Sequence, residues 1–357
     1  MNYARISFIV RIRGIWFFLL LTLLGSAAIQ IWSEAKAKPA TTALPEGAPN
    51  IEWAQTGHNG RVTSVFFSPD GQLVASGSAD QTIKLWGATG GALFRTLTVR
   101  FGGANTVAFS PDGQTLAIGT AAVNRNLYLF RVADGALIHT ISAHNSGTTS
   151  VAFTPDGALL VSGGRDRAVK IWRMSDGALV SAFDQGNRVL SVAVSPGGQV
   201  VAAGSSNGEI KLWRIADGER IGTLSGHKDF VLSLAFSANG AMLASGATDD
   251  TVRVWSIPNG SLIQTVTVPN GGTATSVAFS RDGQTVIAGT SELLIPPNDT
   301  TDSLGALRFW RVSDGALSLT YDQQTSDTVN SIALSPDGVL LSYGRQDGGV
   351  VVARSPF

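Results

Sequence analysis

A four-residue turn recurs seven times along this chain, and its spacing limits the fold more than any other feature. Ser68-Pro69-Asp70-Gly71 returns as Ser110-Pro111-Asp112-Gly113, Thr154-Pro155-Asp156-Gly157 and Ser335-Pro336-Asp337-Gly338. Looser copies are Ser195-Pro196-Gly197-Gly198, Ser237-Ala238-Asn239-Gly240 and Ser280-Arg281-Asp282-Gly283. Successive copies begin 42, 44, 41, 42, 43 and 55 residues apart. A period of about 40–45 residues suits a unit of four short strands that cannot bury its apolar faces alone and must stack on its neighbours.

Each unit carries the same order of elements. A short apolar strand such as Val65-Phe66-Phe67 leads into the turn, and a second strand such as Leu73-Val74-Ala75-Ser76-Gly77 follows. A polar turn then precedes a third strand, as in Ile83-Lys84-Leu85-Trp86. An Asp-Gly or Asn-Gly pair, suited to the positive φ angles of tight hairpins, leads to the fourth. The inner strands alternate little, as expected where neighbours cover both faces. Seven such units predict an all-β fold, a seven-bladed β-propeller of four-stranded blades over residues 51–357. The last unit stops after its third strand, whereas Ile51-Glu52-Trp53-Ala54-Gln55 has a fourth-strand pattern and no unit of its own. The amino-terminal strand is therefore expected to complete the last blade, removing the open edges of an unclosed array. Val62, Ala104, Thr148, Val189, Val231, Ala274 and Val329 are expected to face the central channel.

Three units carry four polar residues in fixed register. They are His58, Ser76, Asp80 and Trp86; His144, Ser162, Asp166 and Trp172; and His227, Ser245, Asp249 and Trp255. His to Asp is 22 residues and His to Trp 28 in each. A buried carboxylate needs hydrogen-bond donors, which the histidine supplies while serine and the indole extend the chain of bonds. A half-built network is worse than none, and units without the histidine also lack the serine, with Ile118, Ala203, Ala288 and Tyr343 in its place. Together with Gly57-His58, Gly226-His227 and the Lys-Leu-Trp or Lys-Ile-Trp strands, this pattern resembles the structural tetrad of WD40-repeat propellers, here of a bacterial, exported type. The resemblance covers about 300 residues. It departs from the family in units two and seven, where Phe130 and Ala353 replace tryptophan, and those blades are expected to pack more loosely.

His, Ser and Asp within one unit also invite comparison with a catalytic triad. Three equivalent copies argue for structure, since an active site is normally single. Gly204-Ser205-Ser206-Asn207-Gly208 fits a nucleophile elbow in letters, but lies in a strand-to-strand turn where that motif needs a strand and a helix. No catalytic residue, cofactor or metal site is expected. The resemblance implies a binding scaffold that docks protein partners on its top face, the face of the turns before the first and third strands. Candidate contacts there are Arg61, Arg165, Arg167, Arg188, Lys228, Phe230 and Arg345, with Leu293, Leu294 and Ile295 in the long sixth unit. Asn298, Asp299 and Asp302 could hold calcium, but their spacing matches no known loop. The alternative is a propeller enzyme, a hydrolase or lyase at the channel mouth, which would require carboxylates and histidines converging there.

The amino terminus lies outside the repeats. Arg5, Arg11 and Arg13 precede an uncharged stretch over residues 14–33, the layout of an export signal or, at about 20 residues, a membrane anchor. The basic side would stay cytoplasmic, placing the propeller outside, in the periplasm or at the cell surface. Residues 34–50, with Pro39, Pro45 and Pro49, read as a flexible tether. Setting residues 1–38 aside leaves 21 basic and 25 acidic residues with no basic run, which argues against nucleic-acid binding. There are no cysteines, excluding disulfides, thiolate chemistry and a lipoprotein anchor. A monomeric propeller touching a membrane only through its amino terminus is expected.

Overall fold

The computed structural model describes residues 11–12, 15–16, 50–99, 102–121, 125–293, 303–322 and 327–357. The chain divides into two units, residues 1–44 and 45–357. In the first, Arg11–Ile12 pairs antiparallel with Ile15–Trp16. Those residues apart, the expected export segment lies outside the described residues, as does all of the tether except Asn50. Among the described residues no helix is long and apolar enough to cross a membrane.

The second unit contains seven four-stranded antiparallel sheets. Their first strands are Val62–Phe67, Ala104–Phe109, Thr148–Phe153, Val189–Val194, Val231–Phe236, Thr273–Phe279 and Val329–Leu334, in blades 1 to 7. Each packs beside the next, and the seventh against the first, so the sheets close into a ring. Blade 1 continues outward through Leu73–Ser78, Thr82–Gly87 and Leu93–Thr98, and the others follow the same meander. Its repeated turn shows why the four residues recur. Asp70 Oδ1 accepts hydrogen bonds from Ser68 Oγ at 2.5 Å and from the Gln72 N–H at 3.0 Å. Gly71 takes the left-handed φ of 70° that reverses the chain.

Closure follows the expected route. Ile51–Gln55 pairs antiparallel with Val350–Arg354 and forms the fourth strand of blade 7. Trp53, opposite Val352, is buried and donates its indole N–H to Ala88 O in blade 1 at 2.8 Å. The amino-terminal strand thus holds the last blade and touches the first.

The channel lining differs from expectation by one residue. Val62, Ala104, Thr148, Val189, Val231, Ala274 and Val329 are all fully buried, and the channel is lined instead by Thr63, Asn105, Thr149, Leu190, Leu232, Thr275 and Asn330. A β-bulge in every first strand, such as the register shift between Val62 and Ser64, causes the slip. An extra residue turns the next side chain inward. The displaced residues pack on glycines of the preceding blade: a Cβ on Gly163 would lie 2.5 Å from Val189, and one on Gly344 2.4 Å from Val62. Glycine at that second-strand position lets neighbouring blades approach closely.

Part of the excess length of unit six is strand. Thr285–Leu293 and Ser303–Arg311 are nine residues each and pair along their whole length. Leu293 therefore ends a strand, while Leu294, Ile295, Asn298, Asp299 and Asp302 lie outside the described residues.

Candidate binding faces and buried polar networks

In blades 1, 3 and 5 the four polar side chains meet. Ser76 Oγ lies 2.7 Å from His58 Nε2 and accepts the Trp86 indole N–H at 2.8 Å, while His58 Nδ1 lies 3.0 Å from Asp80. The corresponding distances are 2.8, 2.8 and 2.8 Å around His144, and 2.7, 2.8 and 3.0 Å around His227. An indole can only donate, so the serine accepts from it and gives its own proton to Nε2. The proton on Nδ1 then points at the carboxylate. Each aspartate also accepts a backbone N–H, from Asn59, Asn145 or Lys228. The network thereby ties the loop before each blade to the turn before its third strand.

This Ser–His–Asp geometry is that of a nucleophilic triad, yet nothing can reach it. Ser76, Ser162 and Ser245 are fully buried, and each oxygen is occupied by an indole donor. Among the described residues no three His, Asp or Glu side chains are placed to hold a metal ion.

Burial lowers the affinity of all three imidazoles for a proton, outweighing the neighbouring carboxylates. Burial also pushes the Asp80 carboxyl up, but hydrogen bonds from Thr82 and the Asn59 N–H, with His58 nearby, hold it down at about 2. Asp166 and Asp249 are likewise held low against burial. Below about pH 6.5 the unfolded chain binds protons at these histidines that the folded chain refuses, so stability falls as pH falls. The aspartates extend the loss below about pH 3.9. Urea unfolding between pH 7.5 and 5 is expected to show stability dropping by up to about 1.4 kcal/mol per pH unit per histidine. A flat profile through this range would contradict neutral, buried tetrad histidines.

Two further blades carry networks that residue-type matching misses. In blade 4 the fully buried Gln185 stands where the histidine would be. It accepts the Trp213 indole N–H at 3.3 Å and donates to Ala203 O at 3.1 Å, so no serine is needed. In blade 6 Asn270, Glu292 and Trp310 take the histidine, aspartate and tryptophan places. Arg308 turns inward and donates from Nε to Glu292 Oε1 at 2.7 Å and from Nη2 to Oε2 at 2.8 Å. Thr290 and Asn270 add hydrogen bonds to the same carboxylate. The signal was present: Gln185 to Asn207 and Asn270 to Glu292 both span the 22 residues of the tetrads. Blades 2 and 7 fill the space with apolar bulk, and Ile118, Phe130, Tyr343 and Ala353 are all buried.

The turns before the first and third strands share one face of the ring. Arg61, Arg165, Arg167, Arg188, Lys228 and Phe230 are exposed there, Phe230 at 45%. Arg345 is a correction. It forms a two-point ion pair with Asp347 at 2.5 and 3.1 Å with its side chain 15% exposed, so it braces its own turn. Arg125, not anticipated, joins the exposed set. Among the described residues, Arg61, Arg125, Arg165, Arg167 and Arg188 make no ion pair or hydrogen bond through their side chains, and all lie in blades 1 to 4. On the opposite face Arg131, Arg173, Arg214 and Arg311 are each paired with the aspartate three residues on. Arg125 and Arg167 hold left-handed φ angles of 57° and 72° at a turn position where Gln81, Asp250, Gly208 and Gly348 do the same, so the angle belongs to the repeat.

The channel encloses about 360 Å³. In five of the blades its threonines and asparagines stitch one blade to the next: Asn105 donates to Thr148 O at 3.0 Å, Thr149 to Val189 O at 2.9 Å and Asn330 to Val62 O at 3.0 Å, and Thr63 and Thr275 bond likewise to Ala104 O and Val329 O. Leu190 and Leu232 make that wall apolar in blades 4 and 5.

The sequence pattern of the WD40 family, described as WD domain, G-beta repeat, matches residues 51–87, 135–173, 177–214 and 218–256. Each match runs from the fourth strand of one blade to the third of the next, so repeat and blade are offset by one strand. The chain is thus a seven-bladed propeller, four stretches of which match the WD40 repeat. It is also 48% identical over 60 residues to "Protein Mut11" of Chlamydomonas reinhardtii, a stretch covering 17% of this chain and 16% of that protein.

Proposed function

We propose that the chain is a non-catalytic scaffold, displayed outside the cytoplasmic membrane, whose top face over blades 1 to 4 docks an acidic segment of a partner protein. The unpaired arginines carry this reading. Of the carboxylates beside them, Asp166 has Lys170 Nζ at 3.9 Å, while Asp80 is held within its own turn by Thr82, the Asn59 N–H and His58. Asp184 and Glu209 are the other acids of that arc, so the exposed balance is basic. Beyond it, Asp229 and Asp250 outnumber the exposed Lys228 in blade 5, Asp347 in blade 7 is neutralised by Arg345, and Phe230 at the boundary offers an apolar anchor. Arginine and aromatic side chains dominate interface hot spots. Placement outside the membrane rests on Arg5, Arg11 and Arg13 ahead of the uncharged stretch.

The channel supports binding over the enzyme alternative, because its wall of Thr, Asn and Leu offers no acid or base. Crosslinking in the native host, followed by mass spectrometry, is the test. Crosslinks are expected in the loops bearing Arg61, Arg165, Arg167 and Arg188, and are expected to disappear when all four become glutamate with unchanged unfolding temperature. Crosslinks unaffected by that charge reversal, or turnover of a small ester or sugar by the purified chain, would overturn it.

A further inference from the structure

The turns joining first and second strands gather on the face opposite the arginines. Where the channel opens there, the ends of the first strands form an apolar cup of about 500 Å³. Phe109, Phe153, Val194 and Phe236 wall it, and the turn prolines Pro69, Pro111 and Pro196 rim it. Phe66 stands in it, 44% exposed. The same position in the other six blades is alanine: Ala108, Ala152, Ala193, Ala235, Ala278 and Ala333. A phenylalanine left half in water where alanine suffices is not explained by packing of the fold.

Charge is arranged around this cup. Asp70, Asp112, Asp156 and Asp337 are exposed on the rim. Hydrogen bonds from the turn hydroxyls, and then from backbone N–H groups, hold all four below the ordinary carboxylate range, so they are charged at neutral pH. Those bonds fall on Oδ1 alone, leaving Oδ2 of each free to accept another donor. Gly197 and Asn239 stand at this place in blades 4 and 5, and Arg281 of blade 6 donates to Asp337 O at 3.4 Å, offsetting the charge of blade 7. Unopposed negative charge is therefore concentrated beside blades 1, 2 and 3.

We propose that the cup is a second binding site, for a basic amphipathic peptide segment of a partner. One apolar side chain of the segment enters between Phe66 and the phenylalanines of blades 2, 3 and 5, and its Lys or Arg side chains meet Asp70, Asp112 and Asp156. The site lies on the opposite face from the arginines and does not depend on what they dock.

The test is fluorescence anisotropy of a labelled 12-residue Leu/Lys amphipathic peptide, and of its Leu/Glu counterpart, titrated with the full chain. The lysine peptide is expected to bind, and to weaken about tenfold as NaCl rises from about 0.05 to 0.5 M. Phe66→Ala, and separately Asp70→Asn with Asp112→Asn and Asp156→Asn, are each expected to weaken it about tenfold or more. Both variants should fold, because other blades already carry those residues: Asn239 Oδ1 accepts from Ser237 and the Ala241 N–H just as the aspartates do. The top-face glutamate variant is expected to bind as tightly as wild type. Equal affinity for the triple asparagine variant, equal binding of the glutamate peptide, or no binding at all would overturn the assignment. So would self-association of the chain abolished by Phe66→Ala, which would give the cup to a second copy.

Discussion

Arg308→Met is expected to lower the unfolding free energy by about 3–5 kcal/mol, because it leaves a buried carboxylate without its cation. Glu292 and Arg308 are 4% and 7% exposed, deep in blade 6 beside Trp310. Water cannot replace the guanidinium, whose Nε and Nη2 together reach both carboxylate oxygens. Adding Glu292→Gln is expected to recover most of the loss, since the neutral amide can still accept from Thr290 and no longer needs a counter-charge. Urea unfolding of wild type, the single variant and the pair measures the difference. An Arg308→Met protein as stable as wild type would mean that the pair contributes nothing to blade 6.

Trp53→Ala is expected to cost about 3–5 kcal/mol. The buried ring packs with Val62, Trp86, Val350 and Val352, spanning blades 1 and 7, with its centroid 6.1 Å from that of Trp86. Its loss would remove the contact that holds the closing strand, expose the edge of Val350–Arg354, and leave Ala88 O without the indole donor. Ile51→Ala, two residues away but 50% exposed, is expected to change stability by less than about 0.5 kcal/mol. Equal effects at the two positions would mean that the strand lies on the surface rather than completing a blade.

Much of this architecture was legible because it repeats. The Ser-Pro-Asp-Gly turn fixed blade number, and the unmatched Ile51–Gln55 strand fixed closure. The tetrads in blades 1, 3 and 5 were readable because four residue types keep one register. Blades 4 and 6 escaped the same reading because they keep the spacing with different chemistry: Gln185 performs two roles at once, and Arg308 neutralises a glutamate where histidine would have met an aspartate. The channel lining was misplaced by one residue because a bulge breaks the two-residue alternation on which facing is judged. Arg345 looked like the other rim arginines in sequence, yet Asp347, two residues on, had already engaged it. The charge polarity of the two faces was invisible for a related reason. Net charge and charge runs say nothing about which arginines are already paired.

The central physical claim is that Ile51–Gln55 is an integral strand of blade 7, so that one closed ring presents both faces as fixed surfaces. Amide hydrogen exchange resolved along the chain tests it directly. Amides hydrogen-bonded between Ile51–Gln55 and Val350–Arg354 should share the slow, global-unfolding exchange of the inner strands. Exchange of residues 51–55 at the rate of an unstructured peptide, while the first strands stay protected, would contradict the closure and every surface assignment built upon it.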